Sequence, residues 1–143
     1  MIIHGSCHSR NMSLTLGWEP DPLEIPARAC SCSFCSKHGG VRTSNPNGSL
    51  SVKVEEPALV SRYEFGTRTA VFHICSRYGV VPVVTSQIDN QPYAVVSVHA
   101  LDGVAPSLIR HAPVNFDGES EEVRLARRKR NWIPSVGYIE SGA

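Results

Sequence analysis

Val80-Val81-Pro82-Val83-Val84-Thr85-Ser86-Gln87-Ile88 leads into Asp89-Asn90-Gln91-Pro92 and returns as Tyr93-Ala94-Val95-Val96-Ser97-Val98. β-branched residues crowd both flanks, and side chains branched at Cβ fit a pleated surface better than a helix. Asp and Asn tolerate left-handed backbone and proline interrupts a ladder, so residues 89–92 read as a hairpin turn. Working outward, Ala70-Val71-Phe72-His73-Ile74-Cys75 is another β-rich run, and Leu50-Ser51-Val52-Lys53-Val54 alternates apolar with polar. Ser13 to Trp18 does the same and places Leu14, Leu16 and Trp18 on one face. Ten prolines and eleven glycines punctuate the remainder. The expected fold is mainly β and antiparallel.

Helical signal is sparse. Ser120 is a good N-cap for a short C-terminal helix through Glu121, Glu122, Val123, Arg124, Leu125, Ala126 and Arg127 to Arg130, with Pro134 beyond its end. Acids open this helix and bases close it, which suits the helix dipole. Residues 42–49, Arg-Thr-Ser-Asn-Pro-Asn-Gly-Ser, read as a loop.

The chain has 143 residues, which predicts one domain over 1–143. A hydrophobic fraction of 41% and a net charge of +1 describe an ordinary globular protein with no global pull toward nucleic acid or membrane. Met1 to Gly5 is too short and polar for a secretory signal, and no stretch approaches the roughly 20 apolar residues of a membrane span. Five cysteines is an odd number. Their clustering argues for a reducing compartment, and a cytoplasmic protein is expected.

Three of the five occur in Cys30-Ser31-Cys32-Ser33-Phe34-Cys35. This spacing suits one metal ion better than a disulfide framework. Zinc takes thiolates at about 2.3 Å and imidazoles at about 2.0–2.1 Å in a tetrahedron. A short loop can supply three ligands, leaving the fourth to another residue or to solvent. His38 is the nearest candidate for a closed structural site; an open site does Lewis-acid work. A packed, metal-free loop is the remaining reading.

The order of motifs carries more. His4-Gly5-Ser6-Cys7-His8 comes first, then Cys30 to Gly40 with its Gly39-Gly40, then Phe72 to Val80, the hairpin, and Asn115-Phe116-Asp117-Gly118. This arrangement resembles the glutathione-dependent formaldehyde-activating enzyme family, which includes centromere protein V. The resemblance implies a small zinc-stapled antiparallel domain, the β-tent. It implies a zinc ion on Cys30, Cys32 and Cys35 whose remaining position is open or shared with the glutathione thiol. It also implies a structural zinc on a C-x-C and a C-x-x-C motif. Here that second site is degenerate, because Ser9 and Tyr78 stand at two of the four positions and only Cys7 and Cys75 remain. His8 and His73 are candidate substitutes, though strand neighbours point to opposite faces. The plainer expectation is a metal-free junction with Tyr78 filling the gap. A Cys7–Cys75 disulfide is disfavoured by a reducing compartment.

The implied activity is that of a carbon–sulfur lyase on a thiol–aldehyde adduct such as S-hydroxymethylglutathione, with a small thiol as partner. Thiols add to formaldehyde unaided, so such a site serves as carrier or trap as readily as catalyst. A noncatalytic zinc-stabilised β module for protein interaction is the alternative. No residue is singled out as catalytic and no oligomeric state is read from the chain.

Arg124 to Arg130 is the strongest charge run. It reads as a solvated helix end, with phosphate or thiol-peptide carboxylate contact as the functional alternative. Nucleic-acid binding gains little support without an aromatic-interleaved basic patch. Trp132 is expected to pack the helix on the sheet, and Trp18 and Phe72 to lie in the core. His99 and His111 have no partner spacing, and Asp117-Gly118 reads as a turn. No G-x-S-x-G occurs, which leaves a serine hydrolase unsupported.

Overall fold

The computed structural model describes residues 1–141, and Gly142 and Ala143 lie outside the described residues. Along the chain run β1 (Ile2–Ser6), β2 (Met12–Gly17), β3 (Ile25–Cys30), α1 (Ser33–His38), β4 (Val41–Thr43), β5 (Ser49–Val54) and β6 (Val60–Tyr63). They are followed by β7 (Val71–Cys75), β8 (Val80–Ile88), β9 (Gln91–Ser97), β10 (Ile109–Val114), α2 (Glu121–Asn131) and β11 (Ser135–Glu140). The mainly β expectation holds. One sheet has the order β1-β2-β5-β11, and a second has the order β10-β3-β4-β9-β8-β7-β6. Pairing is antiparallel except at two sheet edges, where β10 joins β3 and β11 joins β5 in parallel.

The β8–β9 hairpin sits at the centre of this arrangement. Ile88 pairs with Gln91, so the turn is Asp89-Asn90 alone, with φ of 53° and 63°. Two successive left-handed residues match the twist of the flanking strands, which is why Asp and Asn serve here. The turn is tighter than residues 89–92, and Pro92 lies inside β9 opposite Gln87.

The two faces of the seven-stranded sheet do different work. On one face Ile25, Ala27, Cys75, Val83, Ala94 and Val96 pack against Met12, Leu14, Leu16, Leu50, Val52 and Val54 of the smaller sheet. Each large apolar side chain buried there contributes about 1.5–3 kcal/mol. Gly5 allows a close approach at this seam: a Cβ would collide with the carbonyl oxygen of Ala100. On the other face Val84, Tyr93 and Val95 pack with Trp132, Leu125, Phe34 and Phe72. β8 is thus covered on both sides, which explains its near-continuous apolar run.

α2 forms as its sequence predicts. Ser120 Oγ accepts the Val123 N–H at 3.2 Å, Glu121 and Glu122 open the helix, and Arg128, Lys129 and Arg130 close it. Beyond it, Ile133 exchanges backbone hydrogen bonds with Ala94 and ties the helix end to β9. Trp132 packs that end on the sheet as expected.

Other expectations need correction. The stretch after Cys32 is a one-turn helix, α1, not a loop. Cys32 caps it, and Gly39 ends it at a φ of 70°, a left-handed conformation that glycine adopts without a Cβ penalty. Residues 41–43 are strand β4 and Ser49 begins β5, so the loop predicted over 42–49 shrinks to its middle. No described helix is long and apolar enough to cross a membrane.

The hairpin turn yields a direct test. Asn90→Gly is expected to leave the urea midpoint nearly unchanged. Asn90→Val, forced into left-handed backbone, is expected to lose about 1–2 kcal/mol by equilibrium urea unfolding.

Candidate metal centre

Alternate residues of a strand share a face, so Arg28 and Cys30 point the same way from the end of β3. Arg28 lies directly opposite Arg42 of β4. α1 then carries Cys32 as its cap and Cys35 three residues on, a spacing that stacks two side chains on one helix face. The Sγ atoms of Cys30, Cys32 and Cys35 all lie within 4.8 Å of one another, and no other group of three or more such ligands occurs among the described residues. The Cys32 N–H donates to Cys30 Sγ at 3.5 Å, the Cys35 N–H to Cys32 Sγ at 3.4 Å, and Arg42 Nη1 to Cys35 Sγ at 3.0 Å.

These residues fit a metal ion. A tetrahedron with 2.3 Å zinc–sulfur bonds has sulfur–sulfur edges of about 3.8 Å, and the three sulfurs already lie within 4.8 Å of one another. Three soft thiolate donors favour zinc over a hard cation, and the surrounding N–H groups and guanidinium stabilise negative sulfur. His38, the candidate fourth ligand of a closed site, is engaged by other groups. Its Nδ1 contacts the Phe34 carbonyl at 2.6 Å and its Nε2 faces Arg42 Nη2 at 3.2 Å. The first of these makes Nδ1 the protonated nitrogen and Nε2 the acceptor.

Without metal, Cys30 and Cys35 divide their protons unequally. A hydrogen bond from Cys35 is the main cause holding Cys30 down to about 5, with help from the Cys32 N–H and the Arg42 charge against the effect of burial. Cys35 is pushed up in turn, first because it donates to Cys30 and then by burial. The cluster thus presents a thiolate at neutral pH before any ion arrives.

All three cysteines line a cavity of about 140 Å³. Its walls alternate rings with guanidinium groups. Phe65, Phe72, Phe116 and Trp132 supply the rings; Arg28, Arg42, Arg124, Arg127 and Arg128 supply the charge. Arg42 lies 5.3 Å from the Phe72 ring centre, Arg127 3.5 Å from Phe116, and Arg128 5.0 Å from Trp132. Such stacking holds the guanidinium planes in place. Asp117 is the lining carboxylate. Glu119 clamps Arg127 through paired hydrogen bonds of 3.0 Å.

Arg124, Arg127 and Arg128 therefore correct the solvated-end reading in part, while Lys129 and Arg130 stay exposed as expected. Arg128 is only 7% exposed, and its Nη1 donates to Thr69 Oγ1 at 2.7 Å and Ser86 Oγ at 3.2 Å. Burial, then the charges of Arg127 and Arg124, hold it down to about 10, still protonated at neutral pH. Phe72 is likewise a wall of the cavity and not a fully buried core residue.

The second cysteine pair takes a different form from the one expected. Cys7 and Cys75 are buried free thiols. Ser9 Oγ sits between them, 3.4 Å from Cys7 Sγ and 3.2 Å from Cys75 Sγ, and the Met12 N–H donates to Cys7 Sγ at 3.4 Å. Ser9 thus bridges the junction. Tyr78 does not fill it, being 58% exposed with its ring against His8. His73 contacts Thr85 Oγ1 at 2.8 Å, and neither it nor His8 forms a metal-ligand cluster with the two cysteines.

The period of two along β3 ties Arg28 to Cys30. Arg42 and Phe65 gave no local signal, because strand pairing and the 64–70 connection bring them to the cavity; Phe116 stood in the Asn115–Gly118 motif but was not read as a cavity wall. His99 and His111 lie outside it.

No family model and no curated protein matches the chain. Its fold is similar to a crystal structure of a Rhodobacter sphaeroides protein, with a TM-score of 0.52 and 25% identity. The match covers 73% of this chain and 92% of that one. This likeness is compatible with the β-tent reading and carries the fold, while the cysteine cluster carries the capacity for metal.

His73 beside the second junction makes stability pH-dependent. Burial first, and the Arg62 charge second, hold it down to about 4, against about 6.5 in an unfolded chain. Its contribution is complete above pH 6.5 and is lost as pH falls toward 4, because the unfolded chain then binds the extra proton. Between pH 7 and 4.5, wild type is expected to lose roughly 2–3 kcal/mol more than His73→Gln in urea unfolding. Parallel pH curves for the two proteins count against a buried neutral imidazole.

Proposed function

We propose that Cys30, Cys32 and Cys35 hold a zinc ion and leave its remaining position to an outside thiol. The protein then makes or breaks the carbon–sulfur bond of a thiol–aldehyde adduct of the S-hydroxymethylglutathione type. The observation that carries this reading is that the three sulfurs open onto an arginine-lined cavity, while His38 is held by other protein groups.

When bound, zinc supplies a Lewis-acid centre suited to a soft sulfur leaving group. In the cleavage direction the carbon–sulfur bond breaks with its electron pair moving to sulfur. The adduct's hydroxyl proton leaves to solvent and the carbon departs as aldehyde. No electrons are gained or lost overall. Arg42 donates to Cys35 Sγ and offsets the net negative charge of three thiolates around a divalent ion. Arg28 and Arg128 offer guanidinium groups to the anionic end of the thiol. The rings of Phe65, Phe72 and Phe116 give the space beside the sulfurs an apolar wall.

Protein purified under reducing, chelator-free conditions is expected to hold about one zinc per chain, and Cys35→Ser to hold far less. Adding thiol is expected to raise the sulfur count at zinc in X-ray absorption. The zinc-loaded protein should also accelerate adduct turnover over the spontaneous rate. Metal held by four protein ligands and indifferent to thiol sinks the lyase reading and supports the noncatalytic module. Arg42→Gln is expected to weaken zinc affinity about 10–100-fold in a competition titration, as loss of an outer partner does.

A further inference from the structure

The cavity has three properties that together narrow its occupant. Its volume is about 140 Å³, close to that of an apolar cavity known to accept one benzene, roughly 150 Å³. Only a ring-sized group fits within that space, and a longer thiol has to extend out through its mouth. Its walls are aromatic and β-branched, with Phe72, Val84 and Val95 in register across β7, β8 and β9, and Trp132 from the end of α2.

The third property is uncompensated positive charge. Arg28 and Arg42 face each other directly across β3 and β4, an arrangement that is destabilising for like charges. Arg128 is buried, forms no salt bridge among the described residues, and contacts only hydroxyl groups through Nη1. Its Nε and that of Arg42 are buried without a hydrogen-bond partner. Arg28 donates to the Ser44 hydroxyl and likewise forms no salt bridge. Glu119 is committed to Arg127 and Arg124. Buried cations without a counter-charge are costly, and an anion entering the cavity relieves them.

We propose that the cavity selects a compact aromatic carboxylate, its ring against Phe72 and Trp132 and its carboxylate on Arg128 and Arg28. The substrate thiol of the preceding reading is then an aryl or similarly compact thiol acid, with its sulfur toward the cysteine cluster. This deepens the lyase reading and rests on it for the sulfur, but the carboxylate arm needs no metal.

The test uses the full chain, first stripped of metal and then loaded with zinc, with benzoate, benzamide, phenyl phosphate, glutathione and 3-mercaptobenzoate as probes. Calorimetry and Trp fluorescence report binding without reference to turnover. In metal-free protein, benzoate is expected to bind at least about tenfold tighter than benzamide, its neutral analogue, because only the anion pairs with guanidinium. Arg28→Gln and Arg128→Gln are each expected to weaken benzoate about tenfold or more. The benzoate–benzamide comparison on wild type stands even where a variant fails to fold. Equal affinities for benzoate and benzamide, tighter binding of phenyl phosphate, or stronger binding of glutathione to metal-free protein each overturns the proposal. With zinc loaded, 3-mercaptobenzoate is expected to exceed benzoate. If benzoate binds as stated and the thiol adds nothing, the carboxylate site stands and the lyase reading falls.

Discussion

The alternation of side chains across the seven-stranded sheet is the constraint on which everything else depends. Successive residues of a strand must point to opposite faces. In β8 and β9 this sends Val83, Ala94 and Val96 into the seam between the sheets and Val84 and Val95 into the cavity. In β3 it sends Ile25 and Ala27 inward and Arg28 and Cys30 outward. One register therefore builds the core and the candidate site together, and a slip of one residue exchanges them.

The outward face is chemically unusual because thiols and guanidinium groups share it with rings. Arg42 links the two halves, donating to Cys35 while stacking near Phe72. Its charge helps keep Cys30 ionised, and sulfur in turn is a partner for a guanidinium that has no carboxylate. Arg28 and Arg128 have no such anionic partner, so the face as a whole holds more positive charge than it neutralises. Sites of this kind trade stability for binding, since a ligand supplies the missing counter-charge.

The second junction shows how a fold can hold together with fewer sulfurs. The resemblance implies four thiolates there, and this chain offers Cys7, Cys75 and a serine hydroxyl. Ser9 reaches both sulfurs, and the apolar seam of Met12, Leu14, Leu16, Val52 and Val54 surrounds the strands they belong to.

Local pattern determined strands β2, β5, β7, β8 and β9, the capped C-terminal helix, the hairpin and the three-cysteine cluster, because periodicity and cap chemistry act over a few residues; β1, β3, β4, β6, β10 and β11 carried too short or too mixed a pattern to be read. It misread α1, since one turn of helix gives no periodicity and its cap is a cysteine. It also misread Arg128, because a charged side chain in a basic run looks solvated until Thr69, Ser86 and Trp132 are seen around it. Tertiary structure alone decided that Arg28 meets Arg42, that Phe65 and Phe116 line the same cavity as the sulfurs, and that His38 is occupied elsewhere. Those contacts join residues from separate strands and connections, and only the packing of the whole chain brings such groups within reach of one another.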